Sequence, residues 1–359
     1  MTSNPSKNQI LPSMTGGVGG WVFHFLKNWT LPVAILVGTV SYLTFAFVPA
    51  LDDVGDNLLP VFETLLPATL FCTLFVTFSK VDFHLMRLRR WHLLILLAQL
   101  LLIGVLVWLL LHSSFINHHS SFDHRLLLEA VLICVIAPCA SASPVVTAKL
   151  GGDLTQMTTF VLLSSVSMAL LIPVIFPMVE PQSSIISHQS SIISHQSSII
   201  SHQSSIISHQ SLAIFQRLAI VLLLPLLLGG VVRHWVQPLY RWFVRTPDLG
   251  FYCWCVSLAI TAGITVRNIV HSQAGLALLG AIAVLTLLTS LLQFAIGRAV
   301  GRAVGEHICT GQGMFQKNTG LAIWIAYTYL TPEASIGAGC YVLWQNIINS
   351  YELWRHRLA

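Results

Sequence analysis

Ala137-Pro138-Cys139-Ala140-Ser141-Ala142-Ser143-Pro144 stands in the middle of an apolar run long enough to cross a membrane, and Gly311-Gln312-Gly313-Met314-Phe315-Gln316-Lys317-Asn318-Thr319-Gly320 interrupts a second one. Neither stretch suits a straight helix. Pro138 and Pro144 each remove a backbone donor and crowd the preceding turn. Ser143 followed by Pro144 reads as an N-cap and first position of a new half-helix running through Thr147 to Leu150. In the second stretch Asn318 or Thr319 caps a half-helix through Ile323 and Ile325. Freed backbone groups at membrane depth cost several kcal/mol unless protein, water or ligand satisfies them. Broken helices therefore concentrate at transport sites, and interrupted segments at corresponding positions of two halves point to a binding site near the midplane.

Outward from these breaks the chain is a series of apolar runs. They cover Leu31–Val48, Leu58–Ser79, His92–His112, Leu126–Leu150 and Leu154–Val179 in a first half. Leu212–Val236, Leu249–Asn268, Ala274–Val300, Glu306–Leu330 and Glu333–Trp354 follow in a second. Runs of about 20 residues are what a helix needs to cross the hydrocarbon core; a closed barrel would show shorter alternating segments. The expectation is an all-α membrane protein of about ten transmembrane helices. Each break falls in the fourth span of its half, so two five-helix repeats are indicated, inverted because the number per half is odd, with the broken fourth and ninth helices crossing near the midplane.

Composition agrees. Of 359 residues 55% are apolar and only 9% charged, with a mean hydropathy of +0.77, against roughly a quarter charged in soluble domains. No cleavable signal peptide is evident before the first span. The seven cysteines fall mostly inside apolar runs and read as packing residues, not as a disulfide framework or zinc site. With the N-terminus placed inside, Lys7, Lys27, Lys80, Arg87, Arg89, Arg90, Lys149, Arg233, Arg241, Arg245, Arg298, Arg302, Arg355 and Arg357 all fall on the cytoplasmic side. Only Arg125, Arg217 and Arg267 fall outside. This segregation follows the positive-inside rule, so the net charge of +5 is a topology signal and not a nucleic-acid patch. A multi-pass protein of the cell (inner) membrane with both termini cytoplasmic is expected.

The resulting plan is a cytoplasmic segment 1–30, a first repeat 31–179, an external loop 180–211, a second repeat 212–354 and a tail 355–359. The loop carries SSIISHQ four times in succession, Ser183 to Gln210. Its heptad period lacks charged e/g pairs, and its histidines (His188, His195, His202, His209) would hold a metal only weakly, so it reads as a low-complexity expansion. A second histidine group in an earlier external loop, His112, His118, His119 and His124, is an equally weak metal candidate. Gly297, Gly301 and Gly305, spaced four apart, suit close helix packing, with Arg298 and Arg302 snorkelling to the surface.

The stretches Ala137-Pro138 through Ser141-Ala142-Ser143 with Val145-Val146-Thr147, and Gln316-Lys317-Asn318-Thr319-Gly320-Leu321-Ala322, together with the span plan, resemble the bile acid:sodium symporter family over nearly the whole chain. The second stretch is similar to the family's Gln-Asn-Ser/Thr-Gly-Leu-Ala segment. The resemblance implies crossed broken helices, a panel and a core domain, and uptake of organic anions coupled to sodium. The chain departs from the family where sodium binds. Pro144 stands for an Asn, Met157 and Val161 stand where hydroxyls are expected, and Gln312 or Gly313 replaces an acidic residue.

The site expected from these readings comprises Ser141, Ser143, Thr147, Gln312, Gln316, Lys317, Asn318 and Thr319, with no catalytic residue, no resident metal and no cofactor. The coupling ion is sodium or a proton. The partners are a small organic anion and the lipid bilayer; oligomeric state is not legible. Lys317 would add a positive charge for the anion, in place of sodium, and its protonation would link uptake to the proton gradient. Two other readings stay open: a metalloid oxyanion permease using the Cys139 thiol, and a non-transporting membrane sensor or scaffold. An intramembrane enzyme is disfavoured, since no zinc motif, Ser–His pair or paired Asp lies in the spans.

Overall fold

The computed structural model describes residues 30–48, 51–112, 123–179, 203–246, 249–272 and 274–358. The N-terminal segment, residues 113–122 with His118 and His119, and residues 180–202 lie outside the described residues. In chain order the helices are α1 (Thr30–Phe47), α2 (Asp52–Ser79), α3 (Arg90–His112), α4 (His124–Ile136), α5 (Ser143–Lys149), α6 (Leu154–Val179) and α7 (Gln203–Leu218). They continue with α8 (Leu224–Trp235), α9 (Gln237–Arg245), α10 (Leu249–His271), α11 (Leu276–Val304), α12 (His307–Phe315), α13 (Thr319–Tyr329) and α14 (Ala334–Leu358). Among the described residues there is no sheet, only one isolated bridge. Among the described residues, six segments are long and apolar enough to cross a membrane unbroken: Pro60–Ser79, Arg90–His112, Leu154–Val179, Ser211–Trp235, Tyr252–His271 and Leu276–Val304.

The helices bury polar and apolar faces alike and leave apolar faces outward, as lipid requires. On α3, Trp91, His92, Ile95, Gln99 and Ile103 are buried, while Leu93, Leu97, Leu101, Val105 and Trp108 are exposed. In water that outward stripe would be a large apolar patch needing a partner; in hydrocarbon it is the solvated side. The chain is a multi-pass membrane protein.

Two groups of helices share the core. One is built from α1, α2, α8, α9 and α10, the other from α3 to α6 and α11 to α14. Close approaches are made at glycines. A Cβ on Gly38 of α1 would strike the backbone of Ala259 on α10, and one on Gly229 of α8 would strike Phe78 and Ser79 of α2. Gly297 and Gly301 let α12 lie against α11, where a Cβ would meet Thr310 and the backbone of His307. Gly305 ends α11 in the left-handed conformation, φ 76°, which only glycine adopts cheaply. The packing expectation holds for Gly297 and Gly301 and fails for Gly305, where a Cβ would meet nothing within 4 Å. Arg298 is ion-paired with Glu352 and lies over the Phe294 ring at 4.9 Å.

The Ser211–Trp235 segment is α7 joined to α8 through a π turn, Ala219–Leu223. Pro225 follows directly and withholds the N–H that would bond back toward Val221, so the wider turn settles there. Helix α7 begins at Gln203, so the fourth SSIISHQ copy lies within it and not in the loop that precedes the span.

Candidate functional site

Helix α4 stops at Ile136 because Pro138 cannot continue it, and α12 stops at Phe315. The residues after each stop are extended, and they pair with one another. Cys139 and Lys317 form one antiparallel rung, made by Ala140 N–H donating to Gln316 O at 2.9 Å and Asn318 N–H donating to Pro138 O at 2.8 Å. The two breaks thus satisfy each other's backbone, and the broken helices cross.

The remaining freed groups find side chains from neighbouring helices, in two matched sets. On the first break, Gln99 of α3 donates through Nε2 to Val135 O at 2.8 Å and Ala137 O at 3.2 Å, and Cys139 N–H donates to Ser164 Oγ of α6 at 3.0 Å. On the second, Tyr341 of α14 donates its hydroxyl to Phe315 O at 2.7 Å and itself accepts from Gln293 Nε2 at 3.0 Å. Lys317 N–H donates to Gln345 Oε1 at 3.0 Å. Gln99, Ser164, Gln293, Tyr341 and Gln345 are not among the residues expected from the sequence. Their signal was a single polar residue in an otherwise apolar run, as in Leu93-Leu94-Ile95-Leu96-Leu97-Ala98-Gln99-Leu100.

Of the expected site residues, Gln316, Lys317 and Asn318 form the crossing itself. Asn318 is the N-cap of α13, its Oδ1 accepting from Leu321 N at 3.2 Å, as one of the two expected alternatives has it. Thr319 is the first residue of α13, within 3.5 Å of Gln345 Nε2. Ser143 is not a cap. It is the first residue of α5, which Ala142 precedes without a side-chain cap. Its hydroxyl turns back to donate to Ala140 O at 2.6 Å and contacts Cys139 Sγ at 3.2 Å; with Pro144 already supplying the helical φ, the free hydroxyl is used to close the break. Ser141 lies half-buried in the turn. Thr147 and Gln312 sit farther along α5 and α12, which pack together, Thr147 close to the first turn of α12.

Several buried polar atoms here have no acceptor or donor among the described residues: Thr147 Oγ1, both amide atoms of Gln312, Gln316 Oε1 and Lys317 Nζ. Lys317 is only 1% exposed, so it does not lie in a cytoplasmic loop. Cys139 is paired with it across the crossing through the backbone. Three of the described carboxylates are engaged elsewhere. Glu129 accepts from Arg125 at 2.8 Å near the start of α4, while Glu306 meets Arg89 at 2.7 Å and Asp153 lies 4.0 Å from the same guanidinium.

Lys317 is the one buried charged side chain at the crossing among the described residues, with no carboxylate beside it. A hard cation needs several oxygens, with carboxylates the usual source of charge. Here Pro144, Met157 and Val161 are buried without offering one, and among the described residues no group of three or more His, Cys, Asp or Glu is assembled. A buried ammonium at the same place would repel a cation strongly in so dry a setting.

Beyond the crossing, the boundary between the two helix groups contains a cavity of about 210 Å³, lined by Leu66, Arg217 and Ile264 on one side and by Ile323, Trp324, Tyr327 and Thr328 of α13 on the other. A second, of about 130 Å³, lies between α1 and α10 on one side and α14 on the other, with Thr39, Thr261 and Thr265 as its polar groups.

A profile of the Sodium Bile acid symporter family matches residues 65–295. The first break lies inside the matched region; the second, with Lys317, lies beyond it. No curated protein matches the chain.

Proposed function

The chain belongs to the Sodium Bile acid symporter family, whose members are membrane transporters and not enzymes, and from that premise we propose that it carries a small organic anion by alternating access without sodium. Its ten spans are read as two inverted five-helix repeats: α1, α2, α3, α4 with α5, and α6; then α7 with α8, α10, α11, α12 with α13, and α14. The matched bonds at the two breaks support that pairing. In this reading both termini face the cytoplasm of a cell whose inner membrane holds the protein.

The observation that carries the proposal is the Lys317 ammonium, buried at the crossing with no acceptor among the described residues. An uncompensated lysine at the centre of a membrane helix costs roughly 2.5–3.5 kcal/mol on insertion scales. The anionic group of the cargo offsets that cost when it binds. The fixed ammonium therefore takes over the charge that a bound cation supplies elsewhere in the family, and gain or loss of its proton couples uptake to the proton gradient. Ser141, Ser143, Thr147, Gln312, Gln316, Asn318 and Thr319 supply hydrogen bonds around it, and the cavities between the helix groups form the way in.

The test is uptake into proteoliposomes of a panel of radiolabelled carboxylates and sulfonates, under sodium or pH gradients, for the wild type and Lys317→Met. Uptake that needs no sodium, responds to a pH gradient and disappears in Lys317→Met while the variant keeps its monodisperse profile is the expected result. Sodium-driven uptake that survives the substitution overturns it.

A second reading, a metalloid oxyanion permease, is favoured by one contact: the Cys139 thiol is buried opposite Lys317 and within reach of Ser143 Oγ. It requires that Cys139→Ala abolish arsenite or antimonite flux, and fails if flux is unchanged.

A further inference from the structure

Helix α9 is too short to cross a bilayer, at about 1.5 Å per residue, and sits between the ends of α8 and α10. It is pinned at both ends. Arg233 at the end of α8 donates to Asp82 Oδ2 at 2.6 Å and to Lys80 O at 3.1 Å, and stands 5.4 Å from the Tyr240 ring centre. Lys80 Nζ donates to Thr246 O, just past the end of α9, at 3.3 Å. Phe243 turns inward and meets Phe75 of α2 edge-on at 5.5 Å. The opposite side of the helix carries Arg241 and Arg245, one turn apart and so on one face. Both are exposed, and neither has an ion pair among the described residues; the Asp82 carboxylate near this end of the bundle is held by Arg233. Trp242 and Val244 flank the two arginines and are half exposed, and Trp235, 78% exposed, lies just before them.

We propose that this face of α9 binds an anionic phospholipid of the adjacent leaflet, the two guanidiniums of Arg241 and Arg245 on its phosphate and Trp235, Trp242 and Val244 among the upper acyl carbons. Two arginines without an ion pair among the described residues, next to exposed tryptophans on a short helix fixed at the rim of a membrane bundle, match the chemistry of an anionic headgroup at the interface. Guanidinium suits phosphate through paired, parallel N–H bonds. A free phosphate would meet the arginines but leave the aromatic rings and Val244 bare, so the lipid, with both parts, is the occupant. The proposal holds whichever leaflet this end of the bundle faces.

The experiment uses the full chain in detergent micelles supplied with phosphatidylglycerol or phosphatidylcholine, read by native mass spectrometry and thermal unfolding. The wild type is expected to retain phosphatidylglycerol preferentially and to unfold at a higher temperature with it. Arg241→Gln with Arg245→Gln should at least halve the retained phosphatidylglycerol and remove most of the shift. Arg302→Gln with Arg355→Gln, an equal loss of charge elsewhere on the surface, should leave both intact. Equal losses in the two variants, or none in the first, overturn the proposal. So does glycerol 3-phosphate giving the same stabilisation as the lipid, which would make this a free-phosphate site.

Discussion

Gln345 on α14 accepts the backbone N–H of Lys317 through its side-chain carbonyl at 3.0 Å, so it fixes the lysine's main chain and leaves the ammonium to other partners. Replacing it by Leu strands a buried N–H, a loss of about 1–3 kcal/mol, whereas Gln345→Glu keeps an acceptor in place. Thermal unfolding of purified variants should show Gln345→Leu clearly lowered and Gln345→Glu less so. Equal shifts for both would show that the bond contributes nothing.

Gln99 serves the first break in the same way, with one amide on two carbonyls. Gln99→Leu should reduce folded yield in membranes and lower the unfolding temperature, by about 1–3 kcal/mol for the stranded carbonyls. Leu97→Ala, two residues away and facing lipid, should be near neutral. A neutral Gln99→Leu would mean that water replaces the amide at the crossing.

Arg89 and Glu306 make a close pair, but their side chains are 49% and 27% exposed. Exposed pairs contribute at most about 1 kcal/mol and are screened by salt. Arg89→Ala should therefore change stability little, and less at high ionic strength. A loss above about 3 kcal/mol would place this pair among the desolvated ones.

Helix α7 starts at Gln203, which bears on how much of the SSIISHQ tract is dispensable. Deleting residues 183–196 removes two copies and leaves α7 whole, so folding and uptake should be unchanged. Deleting 183–210, all four copies, removes the first turns of α7 and should lower the folded yield. Single cysteines placed between 183 and 196 should react with an impermeant thiol reagent in intact cells; labelling only after lysis would reverse the topology proposed above.

The fold was legible wherever a single residue type decided the local structure. Pro138 and Pro144 announced the first break, and Asn318 before Thr319-Gly320-Leu321 announced a cap and a new helix. Hydropathy runs marked the spans because lipid asks only for apolar length. The supports of the crossing were not legible, since Gln99, Ser164 and Gln345 become meaningful only when packing sets them beside a particular carbonyl or N–H. Ser143 shows the converse: a serine before a proline has the local pattern of a cap, yet a carbonyl three residues back competed for its hydroxyl. Arg298 is similar, because Glu352 is 54 positions away in the chain and no local rule brings the two together.

The π turn at Ala219–Leu223 holds one more residue than an ordinary helical turn, and the faces above and below it are rotated relative to each other. Above it Ile214 and Leu218 are buried where α7 packs on α6; below it Gly229 is pressed against α2. One span is thus fastened to both helix groups, at different heights and on different sides. If the groups rock against each other, this rod is the member that must twist, and the loosely wound turn before Pro225 is where twisting disturbs the fewest hydrogen bonds. In such a motion the span would act as a torsion joint between the two groups.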